Sequence, residues 1–208
     1  MTRLQAVCSL ITPAQCIADV GCDHGLVAEY CVKSGLCERV IASDISGECL
    51  QKARDRLSKY GNAEFYECDG IAYECDEAVL AGMGGRNIVN ILYSAKTLPK
   101  TLVLCPHRDT ESVRRKIIEL GYGIETEILV KERKKFYFCM RASLLGGSRE
   151  LSDLGYAFGL NFEKRCDNLR EYLTLQYNTY IKAPRKNGDK LELVRNALRY
   201  QTGENKTS

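Results

Sequence analysis

The stretch ADVGCDHGLVAEY (18–30) ends an apolar run, turns through two glycines and begins an amphipathic run. The apolar part, CIADVG (16–21), predicts a buried strand, and GLVAEYCVKSG (25–35) predicts the helix that follows it. Glycines at such a turn let the backbone approach a ligand, and the helix N-terminus offers free N–H groups. A tight turn from strand to helix needs a glycine in any case, so this loop alone is weak evidence for a ligand site.

The same order of strand and helix repeats as far as about Leu145. Further strands are predicted at RVIASD (39–44), AEFYEC (63–68), EAVLAG (77–82) and TLVLCP (101–106), with helices at 46–61, 86–95 and 109–121. This alternation predicts an α/β fold whose parallel sheet is covered by helices on both faces. The segment 123–145 instead predicts two strands joined by the charged turn KERKK, an antiparallel hairpin that closes the sheet.

The predicted strands stop at Gly146-Gly147, where we place a domain boundary. Residues 1–147 are expected to form the α/β domain, and residues 148–208 a small helical hairpin domain with a flexible C-terminus. One long helix is predicted from apolar and aromatic residues at helical spacing, namely Phe158, Phe162, Cys166, Leu169, Leu173, Tyr177, Tyr180 and Ile181. APRKNG (183–188) is expected to break it, and Leu191, Val194 and Leu198 mark a second, antiparallel helix.

Composition excludes several classes of protein. The chain has 208 residues, 45% of them hydrophobic, which suits one domain with an appendage. Its 11 cysteines include no CxxC pair, which argues against a zinc ribbon, and we expect no metal site and cysteines that mostly fill the core. No signal-peptide pattern and no apolar run of roughly 18 residues is evident. We therefore expect a soluble, cytoplasmic protein that binds no membrane.

Asp44 ends the second predicted strand, 23 positions after Gly21 (44 − 21 = 23). This spacing is close to the roughly 20 residues at which an acid receives the ribose hydroxyls of a nucleotide. A carboxylate accepts two hydroxyl donors, so Asp44 is a candidate for nucleoside recognition. The alternative is that Asp44 caps the helix that starts near Ser46.

Three more predicted strands end in loops that carry residues able to contact a ligand. They are Cys68-Asp69-Gly70, where an acid can accept from an adenine amino group, Ala81-Gly82-Met83-Gly84-Gly85, and Cys105-Pro106-His107. In an open α/β sheet all five strand ends meet at one carboxyl edge, which is where such sheets bind ligands. Five concordant loops predict a ligand site there.

With these loops in place, the sequence resembles the class I S-adenosylmethionine-dependent methyltransferases. More narrowly, it resembles the bacterial tRNA (adenine(22)-N1)-methyltransferase family. The resembling stretches are RLQAVCSLI (3–11), IADVGCDHG (17–25), CDGIA (68–72), AGMGG (81–85), LCPH (104–107) and KKFYFCMRASLLGG (134–147), and the tail at 150–201 resembles the family's coiled-coil-like helices. The sequence departs from the family at Gly25-Leu26, usually Ala-Tyr, and at Cys105-Pro106-His107, usually Gln-Pro-Asn. Both departures fall on the presumed acceptor side.

The resemblance implies a Rossmann-like sheet, S-adenosyl-L-methionine as cofactor and an adenine of tRNA as methyl acceptor. It implies cofactor binding by Asp19, Gly21, Cys22, His24, Asp44, Ile45, Asp69, Gly70, Ala81, Gly82 and Met83. Asp23 would lie beside the transferred methyl group, where its carboxylate could stabilise positive charge on the adenine ring or accept an amino proton. The alternative for Asp23 is a helix N-cap.

The acceptor RNA is expected to be bound by Arg3, Pro106, His107, Lys164, Arg165, Arg185 and Lys186. The net charge of +3 is small, but residues after Gly146 hold 11 basic and 8 acidic side chains and so carry the whole excess. Alternatives are a solvated helical face for the tail and a structural role for His107. For the whole chain, the alternatives are methylation of another base or a small molecule, and a non-catalytic RNA-binding protein. We expect a monomer, and no protein partner is implied.

Overall fold

The computed structural model describes residues 1–203 and contains one sheet of seven strands. The strands are β1 (Ala14–Val20), β2 (Cys37–Asp44), β3 (Ala63–Glu67), β4 (Glu77–Ala81), β5 (Thr101–Cys105), β6 (Gly123–Glu132) and β7 (Lys135–Ser143). The helices are α1 (Arg3–Ser9), α2 (Leu26–Lys33), α3 (Gly47–Leu57), α4 (Gly85–Ser94), α5 (Thr110–Glu119), α6 (Asp153–Phe158), α7 (Asp167–Tyr180) and α8 (Pro184–Thr202).

The strands are arranged in the order β3-β2-β1-β4-β5-β7-β6. The first five run parallel, and β7 pairs antiparallel with both β5 and β6. The chain crosses from one half of the sheet to the other between β3 and β4, so the carboxyl ends of β1 and β4 lie side by side. The α/β fold with a parallel sheet and a closing antiparallel hairpin is thus confirmed.

Both faces of the sheet are covered by helices. In β1, Ile17 packs into an apolar cluster with residues of α1, α2 and α3, whereas Ala18 packs into a second cluster with residues of α4 and α5. Successive side chains of a strand point to opposite faces, which explains why the strands read as continuous apolar runs. Six of the eleven cysteines are buried and all are free, as expected for core residues.

The N-terminal helix α1 was not predicted. It has seven residues, and a capping box between Thr2 and Gln5 forms its N-terminus. Ala6 and Val7 are buried against the sheet, so tertiary packing rather than helical periodicity stabilises this short element.

The single long helix predicted from Phe158 to Ile181 is wrong. The chain forms α6, then an irregular segment from 159 to 166, then α7. The side chain of Gln201 provides hydrogen-bond partners for the backbone of this irregular segment. Its Oε1 accepts from Cys166 N at 2.8 Å, and its Nε2 donates to the carbonyl oxygens of Phe162 and Lys164 at 2.7 and 2.9 Å. The apolar side chains still share one cluster, which is why their spacing resembled a continuous helix.

The predicted basic loop at 183–188 is also wrong in detail. Pro184 is the first residue of α8, a position that proline tolerates because its missing N–H would have no helical partner. Arg185 and Lys186 therefore lie in the first turn of α8, and a kink follows at Asn187, whose φ is −124°. The two long helices do pack together, with Leu173 and Val194 fully buried between them. The domain boundary at 147/148 stays a prediction. The expectation of a flexible C-terminus concerns residues 204–208, which lie outside the described residues.

A buried ion pair joins this tail to the α/β part of the chain. Arg114 of α5 is 0% exposed, and its Nη2 lies 2.7 Å from Oε1 of Glu127, which is 3% exposed and belongs to β6. Arg114 Nη1 also donates to the carbonyl oxygen of Tyr156 at 2.7 Å, and Glu127 Oε2 accepts from Leu160 N at 2.8 Å. Both charges are thus satisfied partly by backbone groups of the tail, which fixes the tail against the sheet.

Within residues 1–203, no helix combines the length and the apolar character that crossing a membrane requires. The same residues contain no group of three or more His, Cys, Asp or Glu side chains arranged to hold a metal ion.

Replacement of Arg114 should destabilise the protein strongly. Arg114→Met leaves Glu127 buried without its charged partner, a change that costs about 3–5 kcal/mol of unfolding free energy. The control is Lys131→Met, which removes an exposed ion pair between β6 and α7 (Nζ to Glu171 Oε1, 2.6 Å) and should cost less than about 1 kcal/mol. Urea denaturation measures both, and equal losses would refute the special role of the buried pair.

Candidate active site

A cavity of about 620 Å³ lies at the carboxyl ends of β1, β2, β3 and β4. Six of the residues expected to bind the cofactor line it: Gly21, Asp44, Ile45, Asp69, Gly70 and Met83. Four loops that are far apart in the sequence therefore converge on one space. That these six residues bind a cofactor remains a prediction.

The carboxylate of Asp44 holds two of these loops together. Its Oδ2 accepts from Asp23 N at 3.0 Å and its Oδ1 from Ser46 N at 2.9 Å. The α3 helix is capped instead by Ser46, whose Oγ accepts from Cys49 N at 3.3 Å, so Asp44 is not the helix cap. Each carboxylate oxygen has two lone pairs, so Asp44 can still accept two hydroxyl donors from the cavity.

Asp23 projects from the turn between β1 and α2. Its backbone has φ +45°, and the N-cap position of α2 is Gly25; the side chain that accepts from the first turn of this helix is that of Asp19, from Ala28 N at 3.1 Å. The alternative role of Asp23 as a helix N-cap is therefore wrong. The side chain is 59% exposed, and its Oδ2 lies 3.7 Å from Nε2 of His24, which is also exposed. Asp23 thus lies next to Asp44 with its side chain exposed to solvent, and it is not among the residues that line the cavity.

Gly21 and Met83 form the contact between the β1 and β4 loops. Gly21 has φ +70°, and a Cβ atom built on it would lie 2.6 Å from Cε of Met83. Glycine is therefore favoured there by its backbone conformation, and any side chain at this position would displace the methyl group of Met83. On the other side of Met83, its carbonyl oxygen accepts from His107 N at 2.8 Å, which joins the β5 loop to the same structure.

Five of the residues expected to bind the cofactor do not line the cavity: Asp19, Cys22, His24, Ala81 and Gly82. Asp19 and Cys22 are buried below the first loop, and Asp19 Oδ2 accepts from Ala28 N at 3.1 Å. The carbonyl oxygen of His24 accepts from Arg56 Nε at 2.7 Å, so the loop is also tied to α3. Ala81 and Gly82 lead into Met83. These residues position the loops and do not form the cavity wall.

Helix α4 supplies part of the cavity that sequence reasoning missed. Its contributions are Asn87, Asn90, Ile91, Tyr93 and Ser94. The apolar face of α4, with Ile88 and Leu92 buried, drew attention to the core. The polar residues at positions 87, 90 and 94 repeat at helical spacing on another face, and this was the available signal.

The two departures from the family pattern are largely explained by packing. A Cβ at Gly25, whose φ is +66°, would lie 3.0 Å from Cβ of Ala53, so glycine suits the close approach of α2 to α3. Cys105 is fully buried, with its Sγ 3.3 Å from Sγ of Cys139. Of the departing residues, Leu26 and His107 are the ones exposed to solvent.

Of the residues expected to bind the acceptor RNA, the structure brings together Arg3, Pro106 and His107. Arg3 of α1 hydrogen-bonds Nε2 of His107 through its guanidinium, while Pro106 is buried. His107 also borders a second cleft, of about 370 Å³, between the β5 loop and the tail. Aromatic side chains form much of its wall: Phe136, Phe138, Phe158, Tyr172 and Tyr180.

The four tail residues that were expected to bind RNA, Lys164, Arg165, Arg185 and Lys186, do not form one patch. Lys164 and Arg165 precede α7, whereas Arg185 and Lys186 begin α8, and all four are exposed. Because α7 has 14 residues and rises about 1.5 Å per residue, the two pairs are separated by about 20 Å. They mark the two ends of the hairpin.

The buried carboxyl of Asp19 should make stability depend on pH. Burial raises the pKa of Asp19 from 3.8 to about 7, against the opposite effect of the Ala28 N–H. Between these values the folded protein holds a proton that the unfolded chain releases, so the contribution of Asp19 to stability falls as pH rises. Asp19→Asn stays neutral, so its unfolding free energy relative to wild type should increase from pH 4.5 to pH 7.5, measured by urea denaturation. The exposed control Asp55→Asn should not do so, and an Asp19→Asn difference that is constant with pH would contradict the shift.

Comparisons with known proteins agree with this geometry. The family model described as a methyltransferase domain matches residues 1–140. A putative tRNA methyltransferase of Mycoplasma pneumoniae is 34% identical over 128 residues, 59% of this chain and 60% of that protein. The tRNA (adenine(22)-N(1))-methyltransferase of Bacillus subtilis is 28% identical over 145 residues, 65% of this chain and 61% of that protein. The matches thus span less than two thirds of these relatives.

Solved structures resemble the chain over almost its whole length. TrmK of M. capricolum, in complex with S-adenosyl-homocysteine, has a TM-score of 0.83 at 21% identity, covering 98% of this chain and 96% of that one. Sp1610 of Streptococcus pneumoniae, a putative tRNA (m1A22) methyltransferase in complex with S-adenosyl-L-methionine, has a TM-score of 0.84 at 23% identity, covering 94% and 98%. At these identities the likeness establishes the fold. Together with the match over residues 1–140, it means that the chain belongs to the methyltransferase-domain family.

Proposed function

We propose that this protein is an S-adenosylmethionine-dependent tRNA methyltransferase that acts on N1 of an adenine, position 22 by analogy with its relatives. The observation that carries the proposal is the cavity at the carboxyl ends of β1 to β4, where Asp44 and Asp69 share a wall with Gly21 and Met83. The names of the relatives support the tRNA acceptor.

The cavity fits the proposed cofactor in size and chemistry. A volume of about 620 Å³ lies within the usual range for small-molecule sites. Asp44 offers free lone pairs to ribose hydroxyls, and Ile45, which is 70% exposed, offers an apolar surface to a flat base. Gly21 allows the backbone to approach closely. When bound, S-adenosylmethionine would supply an electrophilic methyl group.

Asp23 is the proposed catalytic residue. Adenine N1 attacks through a lone pair, so no base has to remove a proton first, and positive charge develops on the ring. A carboxylate held nearby stabilises that charge more than the neutral ground state. The hydrogen bond from Asp23 N to Asp44 supports this role, because it fixes the Asp23 backbone relative to the cavity.

The tRNA is proposed to contact both ends of the helical hairpin. Lys164 and Arg165 at one end, and Arg185 and Lys186 at the other, could each neutralise phosphates. Arg3 is a weaker candidate for phosphate binding, because its guanidinium already contacts His107. A tRNA acceptor also implies action in the cytoplasm. The monomeric state is likewise a proposal.

Gly21 gives a test of the cofactor site. Gly21→Ala should weaken binding of S-adenosyl-homocysteine at least tenfold by isothermal titration calorimetry, because the added Cβ displaces the methyl group of Met83 and both residues line the cavity. Gly35→Ala is the matched control: its φ of +63° gives the same backbone strain, but nothing lies within 4 Å of the added atom. Equal affinities of the two variants for S-adenosyl-homocysteine would contradict the assignment of this cavity as the cofactor site.

Asp23 gives a test of the reaction. Wild type incubated with labelled S-adenosylmethionine and unmodified tRNA should yield labelled 1-methyladenosine on nucleoside analysis. Asp23→Asn, which removes the charge and keeps the shape, should lose at least tenfold in turnover with little change in cofactor affinity, and the exposed control Asp55→Asn should lose neither. Label in another nucleoside would overturn the base specificity. Cofactor binding without any transfer to tRNA would favour a different acceptor or a non-catalytic RNA-binding protein.

A further inference from the structure

The contact between Arg3 and His107 determines where the imidazole carries its proton. A guanidinium has five N–H donors and no acceptor, and it stays charged at any ordinary pH. Its partner in this contact is Nε2 of His107, so Nε2 must accept and cannot hold a proton. A neutral imidazole in this position therefore has its proton on Nδ1.

Arg3 is held in place from several directions. It is the first residue of α1, which the capping box of Thr2 and Gln5 stabilises, and its own N–H donates to Glu132 Oε1 at 3.3 Å. Its guanidinium carbon lies 5.2 Å from the ring centroid of Tyr137. That ring meets His107 edge-on, with centroids 5.8 Å apart. The pair is thus an ordered arrangement supported by β6 and β7.

The charges around His107 favour the neutral imidazole. Burial, Arg3 and Lys135 all lower the pKa of His107 below its ordinary value of 6.5. The other titratable groups near it come from each neighbouring element: Glu132 of β6, Tyr137 of β7, Arg108 and Asp109 of its own loop, Glu111 of α5, Tyr172 and Tyr180 of α7, and Lys190 of α8. Near neutral pH the side chain is therefore uncharged.

His107 lies between the cavity proposed for the cofactor and the aromatic cleft beside the tail. Its backbone N–H donates to Met83 O at 2.8 Å, and Met83 lines the cavity proposed for the cofactor. Its side chain borders the aromatic cleft on the acceptor side. Among residues 1–203, Nδ1 of His107 has no hydrogen-bond partner, so this N–H is available to a ligand.

We propose that Arg3 is a positioning residue that fixes His107 as a neutral imidazole protonated on Nδ1, and that this N–H donates a hydrogen bond to the acceptor nucleotide. The second half rests on the proposed function, whereas the first half does not. Arg3 would thus contribute to recognition of the base by orienting His107, and not by binding a phosphate of the RNA directly.

Nitrogen NMR of the imidazoles tests the first half without any RNA. The chain has two histidines, so a His24→Asn variant assigns the ring signals of His107 at once. The wild-type spectrum should show the proton on Nδ1. In Arg3→Met the Nδ1 form should lose its dominance and the pKa of His107 should rise, while Arg3→Lys, which keeps charge and donor, should resemble wild type. A proton on Nε2 in wild type, or an Arg3→Met spectrum identical to it, would overturn the assignment.

Two substitutions of His107 test the second half. The amide nitrogen of Asn occupies the place of Nδ1 and that of Gln the place of Nε2, so His107→Asn keeps the proposed donor and His107→Gln loses it. We expect His107→Asn to stay within about threefold of wild-type kcat/KM for tRNA, and His107→Gln and Arg3→Met each to lose about tenfold, the usual effect of one hydrogen bond. The Arg3→Met/His107→Gln double variant should lose no more than either single variant.

The pKa of His107, followed in the same NMR spectra as a function of pH, adds a readout that a purely structural role would not change. Because Arg3 lowers this pKa, it should move to a higher value in Arg3→Met and stay near the wild-type value in Arg3→Lys. Unchanged melting temperature and cofactor affinity in every variant exclude misfolding. Full activity of His107→Gln would overturn donation by Nδ1. If wild type methylated no tRNA, the donor role would fall with the proposed function, and the NMR result would still decide the role of Arg3.

Discussion

The central strands of the sheet are buried on both faces, and this constraint determines where the protein can hold polar chemistry. Ile17 and Ala18 are neighbours in β1, yet each is fully buried in a different apolar cluster. Neither face offers room for a ligand, because helices occupy both. Polar side chains can reach a ligand at the ends of the strands alone, and parallel strands bring their carboxyl ends to the same edge. The candidate site follows from the topology before any particular residue is considered.

Within that edge, backbone hydrogen bonds matter as much as the side chains that face the cavity. Asp44 accepts an N–H from each of two loops, and Met83 O accepts from the loop after β5. The loops therefore act as one unit, in which the glycines permit conformations and approaches that other residues could not adopt. Such preorganisation is what a transferase needs, since most of its task is to hold two reactants in line.

The sequence was sufficient to predict elements whose pattern of apolar and polar residues depends on the element itself and not on contacts with distant parts of the chain. The parallel strands, the closing hairpin and the strand-end loops belong to this class. Helix α1 was missed because seven residues are too few for a periodic signal, and it depends on packing of Ala6 and Val7. The break between α6 and α7 was missed because Phe158 and Leu169 keep helical spacing across a segment that Gln201 stabilises from a distance. The cavity wall on α4 was missed because its polar face matched an ordinary solvent-exposed helix.

The side chain of Gln201 has a consequence for the order in which the protein can fold. It supplies backbone partners to the segment between α6 and α7, which lies 35 or more residues earlier in the chain. During synthesis that segment leaves the ribosome before Gln201 does. The N–H of Cys166 and the carbonyl oxygens of Phe162 and Lys164 can pair with the Gln201 side chain only after the last turn of α8 has been made. The α/β part, whose strands are all complete by residue 143, can assemble before then. The tail is thus completed only after Gln201 has been synthesised, and the surface proposed to meet RNA matures later than the sheet.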